Sequence, residues 1–401
     1  MEALGRLGRS SLKLRYLVLL AVVLVSAHEG YLKSSHNAND WVIFEVGARV
    51  LTHYRGIAIY GGNPLHLYAN LPIVQVGPPA LLPVIATEWM SPHTVNVLWV
   101  VLMALMGIAS IAFVEAAAAR VTAPVSAGVS AGVGAVRRRA IVFALGLPIS
   151  IAWGYEVGEY HHLDDAMAML LLCLVLWLIA TGRSAWLIGI ALGVAVAAKP
   201  WAIVMAPVLI GLPRTGRAKA CLALIVSAAA FWAPFVIAAP QTVSALGSFL
   251  IVPRPGSILY LFGLHGQVQG WLRSAQFASG VAVATYVAVR GRWAAAPLAG
   301  LAVRVAFDPY IYSYYGLGPV LAALAWDLMR PAQRRLPLWT IWTVVIEFGL
   351  HLVAPPTVCA IGRLAWVLSV LVVIVRAPRV VPEPSDEPGT DSITAEPAYA
   401  A

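Results

Sequence analysis

The sequence predicts an all-α, polytopic membrane protein, and three observations predict it. Hydrophobic residues fill 60% of the 401 positions and charged residues only 11%, where a soluble domain is about half apolar and about a quarter charged. Apolar runs recur from Tyr16 to Val375, separated by short breaks that carry Arg, Lys or Pro. No stretch before the tail is polar enough to form a water-soluble domain of its own, so residues 1–376 read as one membrane domain.

Taken in order, the candidate spans are 12–28, 94–119, 140–156, 164–181, 184–198, 201–213, 218–239, 272–290, 293–307, 311–329, 336–354 and 358–376, roughly twelve in all. Residues 78–92, with Pro78, Pro79, Pro83 and Pro92, read as a re-entrant or partial crossing, because a full crossing would put Arg137, Arg138 and Arg139 on the wrong side. Between the first and second spans, Trp41, Phe44, Ala48 and Leu51 recur at helical spacing, so this stretch predicts an interfacial helix in the first outer loop. Residues 377–401 are rich in Pro, Glu, Ser and Asp and read as a disordered cytoplasmic tail.

Orientation follows from Arg6, Arg9, Lys13 and Arg15 before the first span, which the positive-inside rule puts in the cytoplasm. The same side then receives Arg183, Arg214, Arg217, Lys219, Arg290, Arg292, Arg330, Arg334 and Arg335. Val25-Ser26-Ala27 also fits the small-residue rule for signal cleavage, which leaves a processed first span as an alternative. The net charge of +9 is spread over these breaks rather than gathered into a patch, which argues against a nucleic-acid partner. Cys173, Cys221 and Cys359 each sit in an apolar run without metal-ligand spacing and read as core residues.

Most carboxylates before the tail fall on the other, outer side, together with cations at helix ends. Lys199 ends an apolar run before Pro200, which interrupts the helix. Arg304 stands four residues before Asp308, and the two can pair on one helix face. Arg363 lies near the outer start of the last span, where snorkelling is the competing role. Glu159, His161 and His162, with Asp164 and Asp165 beside them, form a polar connection that suits proton transfer, metal binding or plain solvation, with Asp164 also a candidate helix cap. Tyr310 belongs to an aromatic run after Asp308 that fits a sugar surface or an interfacial belt. Asp40 precedes the interfacial helix as an N-cap, a base or both.

The order of these elements resembles glycosyltransferase family 87, polytopic enzymes that use lipid-linked sugars and include actinobacterial mannosyltransferases. The resemblance is carried by Asp40 with Gly47-Ala48-Arg49, Gly56 and Tyr60, by Pro78-Pro79, by Gly158-Glu159, by the small-residue helix from Gly189 to Ala198, and by Lys199-Pro200. The chain has Gly77 where the family commonly has an aromatic residue, and Gly158-Glu159 where a Gly-Gln turn is frequent. The resemblance implies an outward-facing multi-pass transferase of the plasma membrane, with Asp40 as catalytic base. Its implied partners are a polyprenyl-phosphate sugar donor, a glycolipid or glycan acceptor and membrane lipid. Mannose is the favoured sugar, with arabinofuranose as the alternative, and transfer inverts the anomeric carbon. Lys199, with Arg304 and Arg363 as helpers, would stabilise the leaving phosphate. Glu159, His161, His162, Asp308 and Tyr310 would contact substrate; no cofactor is expected, no residue is assigned to a metal, and the outer carboxylates permit a divalent ion that no motif demands. The rival class is a transporter or flippase using the same charges, and a third reading is a catalytically silent scaffold.

Overall fold

The computed structural model describes residues 2–33, 41–53, 63–122, 130–248, 252–268, 270–309, 312–330 and 336–376. Asp40, Gly56, Tyr60, Tyr310 and the 377–401 tail lie outside the described residues. All regular structure among the described residues is helical. The order is α1 (Glu2–Lys33), α2 (Trp41–Thr52), α3 (Leu67–Asn70), α4 (Pro78–Thr87), α5 (Pro92–Thr122), α6 (Ser130–Glu159), α7 (Leu163–Ala180) and α8 (Ala185–Ala198). A 3-10 helix over Pro200–Gly211 follows, and then α9 (Arg214–Ala238), α10 (Thr242–Ser248), α11 (Ile258–Leu261), α12 (Trp271–Val289) and α13 (Ala296–Ala306). The last third holds α14 (Leu317–Met329), α15 (Leu338–Val344), a π-helix over Val345–Gly349, α16 (Leu350–Val353) and α17 (Pro356–Arg376).

Among the described residues, six helical segments are long and apolar enough to cross a membrane: Lys13–Leu32, His93–Thr122, Gly134–Glu159, Leu163–Ala180, Arg214–Ala238 and Pro356–Ile374. The chain is thus an all-α membrane protein. Five further apolar helices are shorter, Pro78–Thr87 among them. At 10 residues, α4 is about 15 Å long and falls short of a hydrocarbon core about 30 Å thick. The segment from Pro200 to Gly211 solves the same problem differently. Wound as a 12-residue 3-10 helix, it reaches about 24 Å where an α-helix would reach about 18 Å.

Small residues let the helices approach. Gly154 and Gly158, four apart on α6, face α1, and a Cβ at Gly158 would sit 2.0 Å from the Ala27 carbonyl oxygen. Gly189 and Gly193 play the same part between α8 and α9. In lipid, where no hydrophobic force drives helix onto helix, such close backbone contact supplies much of the association. Buried residues from Val23 to Ile374 join one contiguous core. The stretch expected to lie at the interface is helical, as α2, with Trp41, Phe44 and Ala48 buried on one face and Gly47 and Val50 buried as well.

The ends of the bundle differ in charge. At one end Arg15 pairs with Glu115 at 2.5 Å, Arg138 donates to Thr122, Arg292 donates to the Ile374 carbonyl and Arg330 lies 3.4 Å from Asp327. These contacts gather the start of α1, the ends of α5 and α17 and the α12–α13 turn. The opposite end, where α6, α8 and α13 finish and α7 begins, carries the acidic residues considered next.

Candidate functional site

The site begins at two tight connections. His161 follows α6 with φ 56°, a left-handed conformation that reverses the chain, at a cost of about 1–3 kcal/mol for a non-glycine residue. Its carbonyl accepts from Leu163 N–H at 2.9 Å, and α7 starts at once with Asp164 and Asp165 in its first turn. That placement corrects the expectation of Asp164 as a cap: it lies inside the helix, and its Oδ1 accepts from Asp165 N–H at 2.9 Å. The positive end of the α7 dipole favours both carboxylates.

The second connection is Lys199-Pro200. Proline disfavours the helical region for the residue before it, so α8 stops at Ala198 and Lys199 is extended, with φ −143° and ψ 105°. Because α7 and α8 form a hairpin, the end of one meets the start of the other. Lys199 Nζ accordingly lies 2.6 Å from Asp164 and 2.8 Å from Asp165. Trp201 Nε1 donates to Asp165 Oδ1 at 2.9 Å. Gly77 completes the turn by donating its N–H to the Ala198 carbonyl at 3.0 Å. A Cβ at Gly77 would stand 1.8 Å from the Ala197 oxygen, which explains why this chain has glycine before its proline pair.

Arg304 lies between Trp201 and Tyr315, 4.3 Å and 4.7 Å from the ring centroids, a desolvated cation–π arrangement. It pairs with Asp308 at 3.5 Å. The expectation was a shared helix face; α13 instead ends at Ala306, and the pair closes over the helix end. Arg363 does not snorkel. It is 4% exposed and pairs with Glu347 at 3.0 Å, a carboxylate on the π-helix, with His351 Nε2 2.7 Å from its Nη2. A cavity of about 10 Å³, lined in part by Asp308, Tyr315, Glu347 and Arg363, joins the two pairs and is about the size of one water.

Aromatic rings shelve this cluster. Tyr312 and Tyr314 stack at 5.1 Å and 10°, Tyr160 lies 5.5 Å from Tyr314, and His162 lies 4.0 Å from Tyr314. His161 is fully buried, and neither ring nitrogen has a hydrogen-bond partner among the described residues. Its ring is 6.3 Å from that of Trp41.

Of the residues singled out in the sequence, Lys199, Arg304, Asp308, Arg363, His161 and His162 therefore collect at one end of the bundle. Glu159 is half-buried beside α1 and makes no ion pair among the described residues. Asp40 and Tyr310 fall outside them. Sequence reasoning missed Trp201 and Glu347, and reached Tyr314 and Tyr315 only as members of the aromatic run after Asp308. Glu347 had a legible signal: a carboxylate in the middle of an apolar stretch is a site candidate by default.

The chemistry is that of compensated charge, with four carboxylates facing three cations. Lys199 serves two carboxylates already. His162, Asp164 and Asp165 offer ligand atoms within 4.8 Å of one another, but a divalent ion there would compete with the ammonium group for the same oxygens. Burial, and secondarily the neighbouring His162, lowers the His161 pKa from 6.5 to about 4. The unfolded chain takes up this proton near pH 6.5 and the folded one only near pH 4. Stability is therefore full above the unfolded value and falls as pH drops through that window, by about 3 kcal/mol in total. His161→Asn, which tolerates the left-handed backbone, is expected to flatten that pH dependence when thermal unfolding is followed in detergent; an unchanged slope would contradict it.

Fold and site together define a polytopic helical membrane protein with a desolvated cluster of paired charges at one end. No family model, curated protein or solved structure matches the chain.

Proposed function

We propose that the protein transfers a sugar, mannose in the favoured case, from a polyprenyl phosphate carrier to a hydroxyl of a glycolipid or glycan. In this reading all twelve apolar segments cross or enter the plasma membrane, and the acidic end faces away from the cytoplasm. The observation that carries the proposal is the convergence of Lys199, Arg304 and Arg363 with a tyrosine shelf at the end opposite the arginine-rich one. Separately encoded cations brought to one desolvated place suit a leaving phosphate, whose charge grows in the transition state. Flat tyrosine faces suit a sugar ring.

Asp40 would take the proton of the acceptor hydroxyl as its oxygen attacks the anomeric carbon, with inversion. Its covalent neighbour Trp41 packs near His161, which supports assigning this role to the start of the first loop. Arg304, whose ion pair with Asp308 at 3.5 Å is looser than those of Lys199 and Arg363 among the described residues, is the cation most available to phosphate, while Lys199 holds Asp164 and Asp165 in place.

The test is to incubate the purified protein in lipid with polyprenyl-phosphate mannose and a membrane glycolipid extract. Wild type is expected to form mannosylated product, and Asp40→Asn to lose about 100-fold or more of the rate. Product from both proteins would remove Asp40 as the base. Movement of the intact carrier across the bilayer without product would favour a flippase, which the buried charges also suit.

A further inference from the structure

We propose that the cleft between α2 and the α4–α5 turn binds the hydroxyl-bearing sugar headgroup of the acceptor. This inference rests on the transferase reading and adds a site to it.

The cleft holds about 220 Å³, with Trp41, Glu45 and Arg49 on one side and Glu88, Met90 and Val95 on the other. That is below the roughly 300 Å³ at which drug-sized pockets begin, and it suits a single ring. The wall is prepared for hydroxyl groups. Glu88 Oε2 accepts from Thr52 Oγ1 at 2.7 Å, whereas its Oε1 is buried with no hydrogen-bond partner. An orphaned carboxylate oxygen is costly, and a turn of the carboxylate towards the cleft, a broad torsion in Glu, would let a ligand hydroxyl donate to it and recover that cost. Across the cleft, Glu45 Oε1 accepts from Trp41 Nε1 at 2.9 Å, which fixes the largely buried indole so that it lends the cleft an apolar edge. Glu45 Oε2 lies 3.5 Å from Arg49.

Two carboxylates against one guanidinium, with His53 Nδ1 3.9 Å from Glu88 Oε2, favour a neutral donor of hydrogen bonds over a phosphate here. The hydroxyl-rich acceptor therefore fits this cleft, apart from the buried cluster. Trp41 links the two places, because the same ring lies 6.3 Å from His161, the residue before His162 at the buried cluster. An acceptor seated against Trp41 would be one aromatic side chain away from it.

The full chain in lipid nanodiscs would be irradiated with an octyl mannoside carrying a diazirine on the sugar, and the labelled peptides identified by mass spectrometry. Labelling is expected within residues 41–53 and 84–95, falling about tenfold in Glu88→Gln and in Glu45→Gln. Both variants keep the shape of the side chain, and matching melting temperatures would verify folding. A diazirine-bearing octyl alcohol without the sugar is expected not to label the cleft. Labelling elsewhere, or labelling equal in wild type and both variants, would overturn the proposal. The transfer assay separates the two readings. Sugar-dependent labelling without any mannose transfer would keep the cleft and remove the transferase. Transfer with an acceptor KM unchanged in both variants would keep the transferase and remove the cleft.

Discussion

Lys199→Met is expected to destabilise the protein by about 3–5 kcal/mol, because it leaves Asp164 and Asp165 buried without their counter-ion. Asp164 is 0% and Asp165 2% exposed, so water cannot replace the ammonium. Lys199 Nζ reaches both carboxylates within 2.8 Å, and no other cation among the described residues pairs with either, apart from His162 when protonated, at 3.5 Å and 3.6 Å. Lys199→Arg retains the charge and is expected to cost less. Asp164→Asn/Lys199→Met removes one charge of each sign, keeps the net charge of the trio and is expected to recover a large part of the loss. Chemical or thermal unfolding in detergent reads all three, and a single Lys199→Met variant as stable as wild type would refute the assignment.

Arg363→Met is expected to cost a similar 3–5 kcal/mol by orphaning Glu347. Both partners are nearly inaccessible, 4% and 1% exposed, and Glu347 Oε2 accepts from both Nε and Nη2 of Arg363, at 3.2 Å and 3.0 Å. Replacing the pair together, as Glu347→Gln/Arg363→Met, should be far milder than the sum of the singles, because a buried ion pair contributes little net stability while a broken one is expensive. The coupling is read from a double-mutant cycle of unfolding free energies. Additive single effects would show that the two side chains do not depend on each other.

The membrane class and the helical content were legible because they rest on long apolar runs, which among the described residues lie mostly on helical backbone, although only six helical segments are long and apolar enough to cross. The exact winding was not legible. Residues 201–213 read as an ordinary apolar helix, yet Pro200 and Pro207 accompany 3-10 winding, and the π-helix around Glu347 left no periodic mark. At the site, the cations were found one by one from their apolar surroundings. Their pairings were not, since the Asp164–Lys199 pair spans 35 positions and Arg363–Glu347 spans 16, distances that only tertiary packing can close. The Arg304–Asp308 pair was found because its spacing of four is local. Gly77 looked like a departure from the family pattern and is explained only by the Ala197 and Ala198 carbonyls against it.

The central claim is that the paired-charge cluster is a sugar-transfer site and not a structural clamp alone. Its most direct test is mannose transfer from polyprenyl-phosphate mannose by Arg304→Met/Asp308→Asn, which removes both charges of the pair so that neither is left buried alone. Melting near the wild-type temperature with transfer lost is the result expected. Wild-type transfer by that folded variant would contradict the account.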